Sequence, residues 1–275
     1  MKRLFIFGDA HSYGSKLEKA LFGKGYNPAN PNHILISLGD ICDRGDESVK
    51  ILEFINLVPE DRKICVVGNH ELLMEKMIKR GEFLSHDVHN CTLKTAEELT
   101  GLKEDAAVRD MNNCYLWNKY KNDWVWYCEI GNMIFVHGWI PCNIVHTKTG
   151  LVLETTYIKD WRNSGPVAWE NATWLNGMRA WNEGVDEPGK TIFCGHWHTS
   201  WGHANLHGYG KEFLEKVETY HTMEDGTVWP FVCYEPFEDK GIVAVDARTA
   251  VSGKVNVVVR DVEDEVFEKR IIKKY

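Results

Sequence analysis

No Cys-x-x-Cys pair occurs in the 275 residues, although there are eight cysteines, standing singly at 42, 65, 91, 114, 128, 142, 194 and 233. That spacing excludes a zinc ribbon or a thioredoxin-type redox pair, and thiols inside apolar runs, such as Cys65 and Cys194, behave as small hydrophobes. The expected compartment is therefore a reducing cytoplasm. No apolar run is long enough to span a bilayer. The opening MKRLFIFGDA has too brief an apolar stretch for a signal-peptide core, so neither export nor membrane insertion is expected. Basic residues give no surplus either: 32 Lys and Arg face 40 Asp and Glu, for a net charge of -8 and a sequence pI near 5.8. This removes the chain-wide positive field that nucleic acid or anionic lipid would call for. Repeats, low-complexity tracts and Ser/Gly/Pro linkers are also missing, which predicts one domain over 1–275 with insertions at about 81–130 and 141–189.

What is present is a series of short apolar runs. RLFIF (3–7), HILISL (33–38) and KICVV (63–67) each end at a glycine and a polar residue, and each precedes a helical pattern. In the first pattern Leu17, Ala20 and Leu21 recur before Gly25; in the second Val49, Leu52 and Ile55 recur before Pro59; ELLMEKMIKR follows the third. Strand and helix in alternation predict βαβ units around a parallel sheet. NMIFVH (132–137), KTIFC (190–194), GIVAVD (241–246) and KVNVVVR (254–260) supply four more strands. Residues 81–130 read as mostly helical, while 141–189 shows no clear period.

In open α/β sheets the site lies beyond the carboxyl ends of the strands. Five runs here are followed by Asp9 and His11; Asp40, Asp43 and Arg44; Asn69, His70 and Glu71; His137; and His196 and His198. Carboxylate, amide and imidazole together suit Zn, Mn or Fe, whereas soft metals favour thiolate and calcium avoids imidazole. Asp9, His11, Asp40, Asn69, His137, His196 and His198 exceed the needs of one ion. Two ions about 3.5–4 Å apart can share them through a bridging carboxylate, and Asp40 lies mid-array. Gly8, Gly39, Gly68 and Gly195 precede these ligands where a backbone must pass close to the site. A lone Gly-Asp after a strand is ordinarily a turn or a helix cap; it is the ordered set GDxH, GDxxDRG, GNHE, VHG and GHxH that carries the signal. In GHWH, strand alternation would turn His196 and His198 to one side and Trp197 to the other.

These motifs resemble the calcineurin-like metallophosphoesterase superfamily, and GDICDRG (39–45) with GNHE (68–71) resembles its phosphoprotein-phosphatase branch. The resemblance extends to the tail, GIVAVDARTAVSGKVNVVVRD (241–261). It implies a four-layer α/β/β/α sandwich of two mixed sheets in place of a plain parallel sheet. It further implies that Asp9, His11 and Asp40 hold one divalent ion, completed by His198, and that Asp40, Asn69, His137 and His196 hold the second. Arg44 would grip the substrate phosphate, since a guanidinium does so bidentately. His70 would protonate the leaving oxygen, oriented by Asp43. The implied reaction is hydrolysis of a phosphate ester or anhydride by hydroxide bridging the two metals. Two departures stand out: Ser12 occupies a position that is often glycine in the family, and protein phosphatases of the superfamily generally lack the second histidine of GHxH. The latter points to a smaller bacterial or phage-type relative.

Phosphoserine or phosphothreonine in proteins is the first substrate reading, and a dinucleoside polyphosphate or other nucleotide the second. Ten of the 11 tryptophans lie between 117 and 201; they could stack on a base, though packing the inserted segments is the more ordinary use of indole. A catalytically silent binding module should have lost ligands, and this chain keeps them all. Arg162 and Arg179 are candidates for a second phosphate contact. His33, His86, His89 and His146 read as surface residues, and WGHANLHGYG (201–210) reads as a mobile loop that rims the site.

Overall fold

Each of the first three apolar runs forms a strand that leads into a helix. In the computed structural model, which describes residues 1–146, 153–207, 220–222, 228–230 and 233–275, β1 (Lys2–Phe7), β2 (His33–Ser37) and β3 (Lys63–Val66) pair in parallel. Helices α1 (Gly14–Gly23), α2 (Ser48–Leu57) and α3 (Asn69–Arg80) follow them in turn. The stretch expected to be mostly helical does supply four short helices between Ser85 and Asn122. It ends differently: β4 (Trp124–Ile130) is a strand. WVWYCEI is buried at every position, so it shows none of the alternation that marks a half-exposed strand.

This missed strand joins the two halves of the sheet. On one edge β4 pairs in parallel with β3 and then, past the turn at Gly131, antiparallel with β5 (Met133–Phe135). A hairpin of β6 (Cys142–His146) and β7 (Leu153–Tyr157) comes next; its connecting residues and side chains 145–154 lie outside the described residues. β8 (Thr191–Cys194) runs parallel to β5; β9 (Tyr220–Thr222) and β10 (Val228–Pro230) form a second small hairpin. β11 (Phe237–Asp239) and β12 (Ile242–Ala244) extend the sheet beyond β8, β13 (Val257–Val262) lies antiparallel to β1, and β14 (Ile271–Lys274) covers the other edge of β4. The order is thus β11-β12-β8-β5-β4-β3-β2-β1-β13. It is mixed, and all seven strands read from the sequence are in it.

Alternation along the strands divides the core. Leu4, Ile6, Ile34 and Ile36 share one apolar cluster with Phe135, Phe193 and Val243, strand residues from the two halves of the bent sheet. Phe5, Phe7 and Leu35 point the other way, into a cluster with Leu17, Ile51 and Leu52 of α1 and α2. The sheet therefore folds back on itself with helices outside, giving the α/β/β/α layering. Each fully buried aliphatic or aromatic side chain contributes roughly 1.5–3 kcal/mol. Six tryptophans serve this purpose: Trp117, Trp124, Trp139, Trp161 and Trp169 are fully buried and Trp126 is buried beside them. The glycine-rich stretch after GHWH is not simply a loop. Thr199–Asn205 is helical, His203 is buried with Nε2 3.1 Å from the Glu235 carbonyl, and only 208–210 falls outside the described residues.

Candidate functional site

The strand ends do converge, and they do so through an unusual backbone. Asp9, His11, Ser12, Asp40, Asp43, Arg44, His196 and Arg248 all have φ between 48° and 74°, the left-handed region that non-glycine residues rarely enter. Such strain costs of order 1–3 kcal/mol per residue and persists where surrounding structure enforces it. Here the enforcement is visible. Asp9 N donates to Gly39 O at 3.0 Å, His11 N to Asp40 O at 3.0 Å and Ser12 N to Ile41 O at 2.6 Å, lacing the first two loops together. Ser12 adopts the conformation a glycine would take, and its buried hydroxyl lies 2.8 Å from Ser48 Oγ.

Glu71 ties in the third loop. Its carboxylate accepts N–H bonds from Gly68 (2.8 Å), Asp40 (2.9 Å) and Ile41 (2.9 Å), so the start of α3 is fixed against the loop carrying Asp40. Two glycines permit the closest approaches. A Cβ on Gly68 would lie 2.2 Å from Asp40 Oδ1, and one on Gly195 would lie 2.1 Å from Asp9 Oδ2.

Two clusters share one carboxylate. Ligand atoms of His11, Asp40 and His70 lie within 4.8 Å of one another, as do those of Asp40, His137 and His196. The imidazoles are held from behind: His11 Nδ1 is 3.1 Å from Cys42 O and His137 Nδ1 is 2.6 Å from Leu38 O. A proton on each Nδ1 leaves Nε2 as the free donor atom. His137 Nε2 then faces Asn69 Oδ1 at 2.9 Å and Asp40 Oδ1 at 3.4 Å. Asp9 stands beside His196, accepting its N–H on both oxygens at 3.0 Å.

The charges explain what this set can hold. Burial, then Asp246 and Asp40, pushes the Asp9 carboxyl well above its usual range. Burial likewise lifts Asp246 to about 7. Asp40 is also buried, but His137 and His70 outweigh the burial and hold it well below the carboxylate range. Burial and neighbouring imidazoles push His196 down to about 3, and burial with Arg248 and Arg44 pushes His198 to about 4. Neutral imidazoles beside buried carboxylates, which are costly to ionise unless paired, form an environment that divalent cations satisfy. The donor set fits such ions.

Beside the shared carboxylate sits a second device. His70 Nδ1 is 2.7 Å from Asp43 Oδ2. Asp43 in turn accepts from Thr92 Oγ1 and Thr95 Oγ1, both at 2.8 Å. Burial lowers the His70 pKa, but Asp40 and the Asp43 hydrogen bond outweigh it and leave it raised. Arg44 Nη2 lies 3.3 Å from His70 Nε2; a guanidinium has no acceptor, so this contact suits the neutral ring only and yields when Nε2 carries a proton.

Several expectations need adjustment. His196 and His198 do not alternate on an extended strand: β8 ends at Cys194, His196 is left-handed and His198 is the residue just before the helix that begins at Thr199. His198 and Asp9 are in neither three-residue cluster, whereas His70 is in one. Arg162 is engaged with other partners, pairing with Glu129 and Glu187 at 2.9 Å each and lying over Trp161. Arg179 lines a pocket with Trp174 and Trp197 and pairs with Glu183. Sequence reasoning gave no role to Glu71, Thr92, Thr95, Asp246 or Arg248. The acidic end of VAVD after a strand was a usable signal for Asp246; two threonines in an inserted helix gave none.

The profile of the calcineurin-like phosphoesterases matches residues 2–223. The chain belongs to this calcineurin-like phosphoesterase family. Among curated proteins it is 25% identical over 153 residues to the asymmetrical bis(5'-nucleosyl)-tetraphosphatase PrpE of Oceanobacillus iheyensis, a match that spans 53% of this chain and 60% of that relative. Among solved structures it resembles a candidate diadenosine tetraphosphatase at TM-score 0.50 and 14% identity, covering 94% of this chain and 89% of the other. A cold-active protein-tyrosine phosphatase of a psychrophilic Shewanella species gives TM-score 0.50 at 13% identity, covering 100% and 81%. At these identities the structures speak for the fold.

Proposed function

We propose that this chain is a metal-dependent hydrolase of phosphate esters or anhydrides. The observation that carries the reading is the pair of buried clusters sharing Asp40, with the Arg44, His70 and Asp43 device alongside. Asp9, His11 and Asp40 would hold one divalent ion and Asp40, Asn69, His137 and His196 the other; we give His198 the remaining position of the first, for its neutral ring and its place two residues beyond His196. Bound there, Mn, Fe or Zn would supply Lewis-acid polarisation and an acidified water. The chain's own residues do the rest. Arg44 binds the phosphate with its guanidinium fork. His70 carries a proton on Nε2 toward the leaving oxygen while Nδ1–H stays on Asp43. Residues 1–275 act as one domain, a reading supported by β13 and β14, which complete a sheet begun by β1. Free cysteines throughout fit a cytoplasmic setting, and no described helix is long and apolar enough to cross a membrane.

GDxxDRG and GNHE favour phosphoserine or phosphothreonine as substrate. The tetraphosphatase relative favours a dinucleoside polyphosphate. Comparing phosphate release from a phosphopeptide with cleavage of diadenosine tetraphosphate separates them. For the shared chemistry, Asp40→Asn should abolish turnover and lower metal content. His70→Asn should retain metal yet slow turnover by about 10²–10⁴-fold. Full activity of either variant on phenyl phosphate would refute these roles.

A further inference from the structure

Three indoles keep part of their surface outside the core and gather around one pocket, although Trp197 and Trp201 also pack against the main apolar cluster. Trp174 is 47% exposed, and Trp197 and Trp201 are half-buried, whereas five other tryptophans are fully buried. The three line one pocket of about 140 Å³ with Leu175, Asn176 and Arg179. The pocket adjoins the candidate metal centre, for the Trp174 ring centroid is 5.8 Å from that of His196 at 82° and Trp197 lies 6.5 Å from His196. Trp197 and Trp201 meet edge-on, 6.5 Å apart at 74°. Aromatic side chains gathered around a concavity with a few polar groups beside them are the usual lining of a ligand site.

We propose that this pocket receives a flat aromatic ring carried by the phosphate substrate, an inference that rests on the phosphoesterase reading. Size limits the occupant: pockets for drug-sized ligands run about 300–1,000 Å³, while an apolar cavity of about 150 Å³ holds benzene. One ring fits; a whole nucleotide does not, so the remainder of the substrate lies toward His196. Aromatic walls suit a π-face of any chemistry. Polar handles refine the choice. Asn176 Oδ1 accepts the Arg179 backbone N–H at 3.1 Å, which leaves its amide hydrogens as donors for ring heteroatoms or a phenolic oxygen. The ring belongs either to a nucleobase or to a tyrosyl side chain, and both present the same face to the indoles.

The test compares kcat/KM for phenyl phosphate, AMP, a phosphotyrosine peptide and glycerol 2-phosphate in the metal-loaded wild type and in Trp174→Ala, Trp201→Ala and Trp201→Phe. The wild type should prefer ring-bearing substrates over glycerol 2-phosphate. Both alanine variants should reduce that preference on the order of ten-fold, through KM, and Trp201→Phe should restore most of it. Inhibition by adenosine but not by ribose assigns the ring to a nucleobase; inhibition by N-acetyltyrosinamide alone assigns it to tyrosine. A preference unchanged within two-fold in both alanine variants, or no inhibition by either ring compound, overturns the proposal. Quenching of indole fluorescence by adenosine or N-acetyltyrosinamide reports ring binding without turnover. If no phosphate ester or anhydride is cleaved while quenching persists, the phosphoesterase reading fails and the ring site stands.

Discussion

Gly68→Ala isolates the close approach on which the shared carboxylate depends. Gly68 has φ −99° and ψ 174°, an extended conformation any residue adopts, so alanine introduces no backbone strain and the whole effect is steric. The new Cβ would lie 2.2 Å from Asp40 Oδ1, 2.6 Å from Asp40 N and 2.7 Å from Glu71 Oε2. Real Cβ contacts are essentially never below 3.0 Å, so Asp40 or the start of α3 must move by about 1 Å. Neither can yield freely, because Glu71 ties Gly68, Asp40 and Ile41 together. Overpacking of this kind costs about 1–3 kcal/mol. A misplacement of 1 Å at a reacting constellation costs about 100-fold in rate, or roughly 2.7 kcal/mol of barrier. Gly68→Ala should therefore unfold several degrees below wild type, bind fewer divalent ions per chain by elemental analysis, and lose about 100-fold in kcat/KM on phenyl phosphate. Wild-type turnover with full metal content would show that Gly68 does not set the position of Asp40.

Other consequences follow from the same contacts. Thr92→Val with Thr95→Val removes both hydroxyl donors to Asp43; kcat should fall about ten-fold or more at unchanged metal content, since each bond to a charged group is worth about 1.5–3 kcal/mol, and an unchanged kcat refutes the support role. Removing metal with EDTA should abolish turnover, and Mn²⁺ should restore it. The thermal stabilisation by Mn²⁺ should also depend on pH. His196 near 3 and His198 near 4 lie below the ordinary value of about 6.5, so the unfolded chain takes up protons first and metal-free stability falls as pH drops below about 6.5. Asp246, raised to about 7, has the opposite sign: its stability contribution is lost as pH rises from about 4 through 7. Metal binding needs ionised carboxylates and neutral imidazoles, so the Mn²⁺-induced rise in Tm should grow from pH 5 to pH 8, and a shift independent of pH argues against these ligands. Arg162→Ala should lower Tm through its lost pairs with Glu129 and Glu187 while kcat/KM on phenyl phosphate stays at the wild-type value; a large loss of kcat/KM would return Arg162 to the phosphate.

The strands and most residues of the candidate site were legible because both depend on local order along the chain. A buried strand that stops at glycine and a polar residue shows itself in five or six positions, and Asp9, Asp40, Asn69, His137 and His196 each stand at such a stop. β4 was not legible, since WVWYCEI is buried on both faces and carries no period. Nor was the bend it creates, which comes from pairing with β3, β5 and β14 at once. Glu71 stood in a recognised motif, but its task of bonding three N–H groups from two separate loops needs the loops brought together. Thr92 and Thr95 belong to an inserted helix and reach Asp43 only through packing. The tryptophans divide in the same way: their number is in the sequence, whereas the choice of which are core and which line the pocket beside His196 belongs to the fold. By itself the sequence determined the candidate donor atoms and their order, because ligand chemistry resides in side-chain types. Tertiary structure alone decided which donors meet at Asp40 and what holds them there, because distances between residues remote in the chain are set by strand pairing and burial.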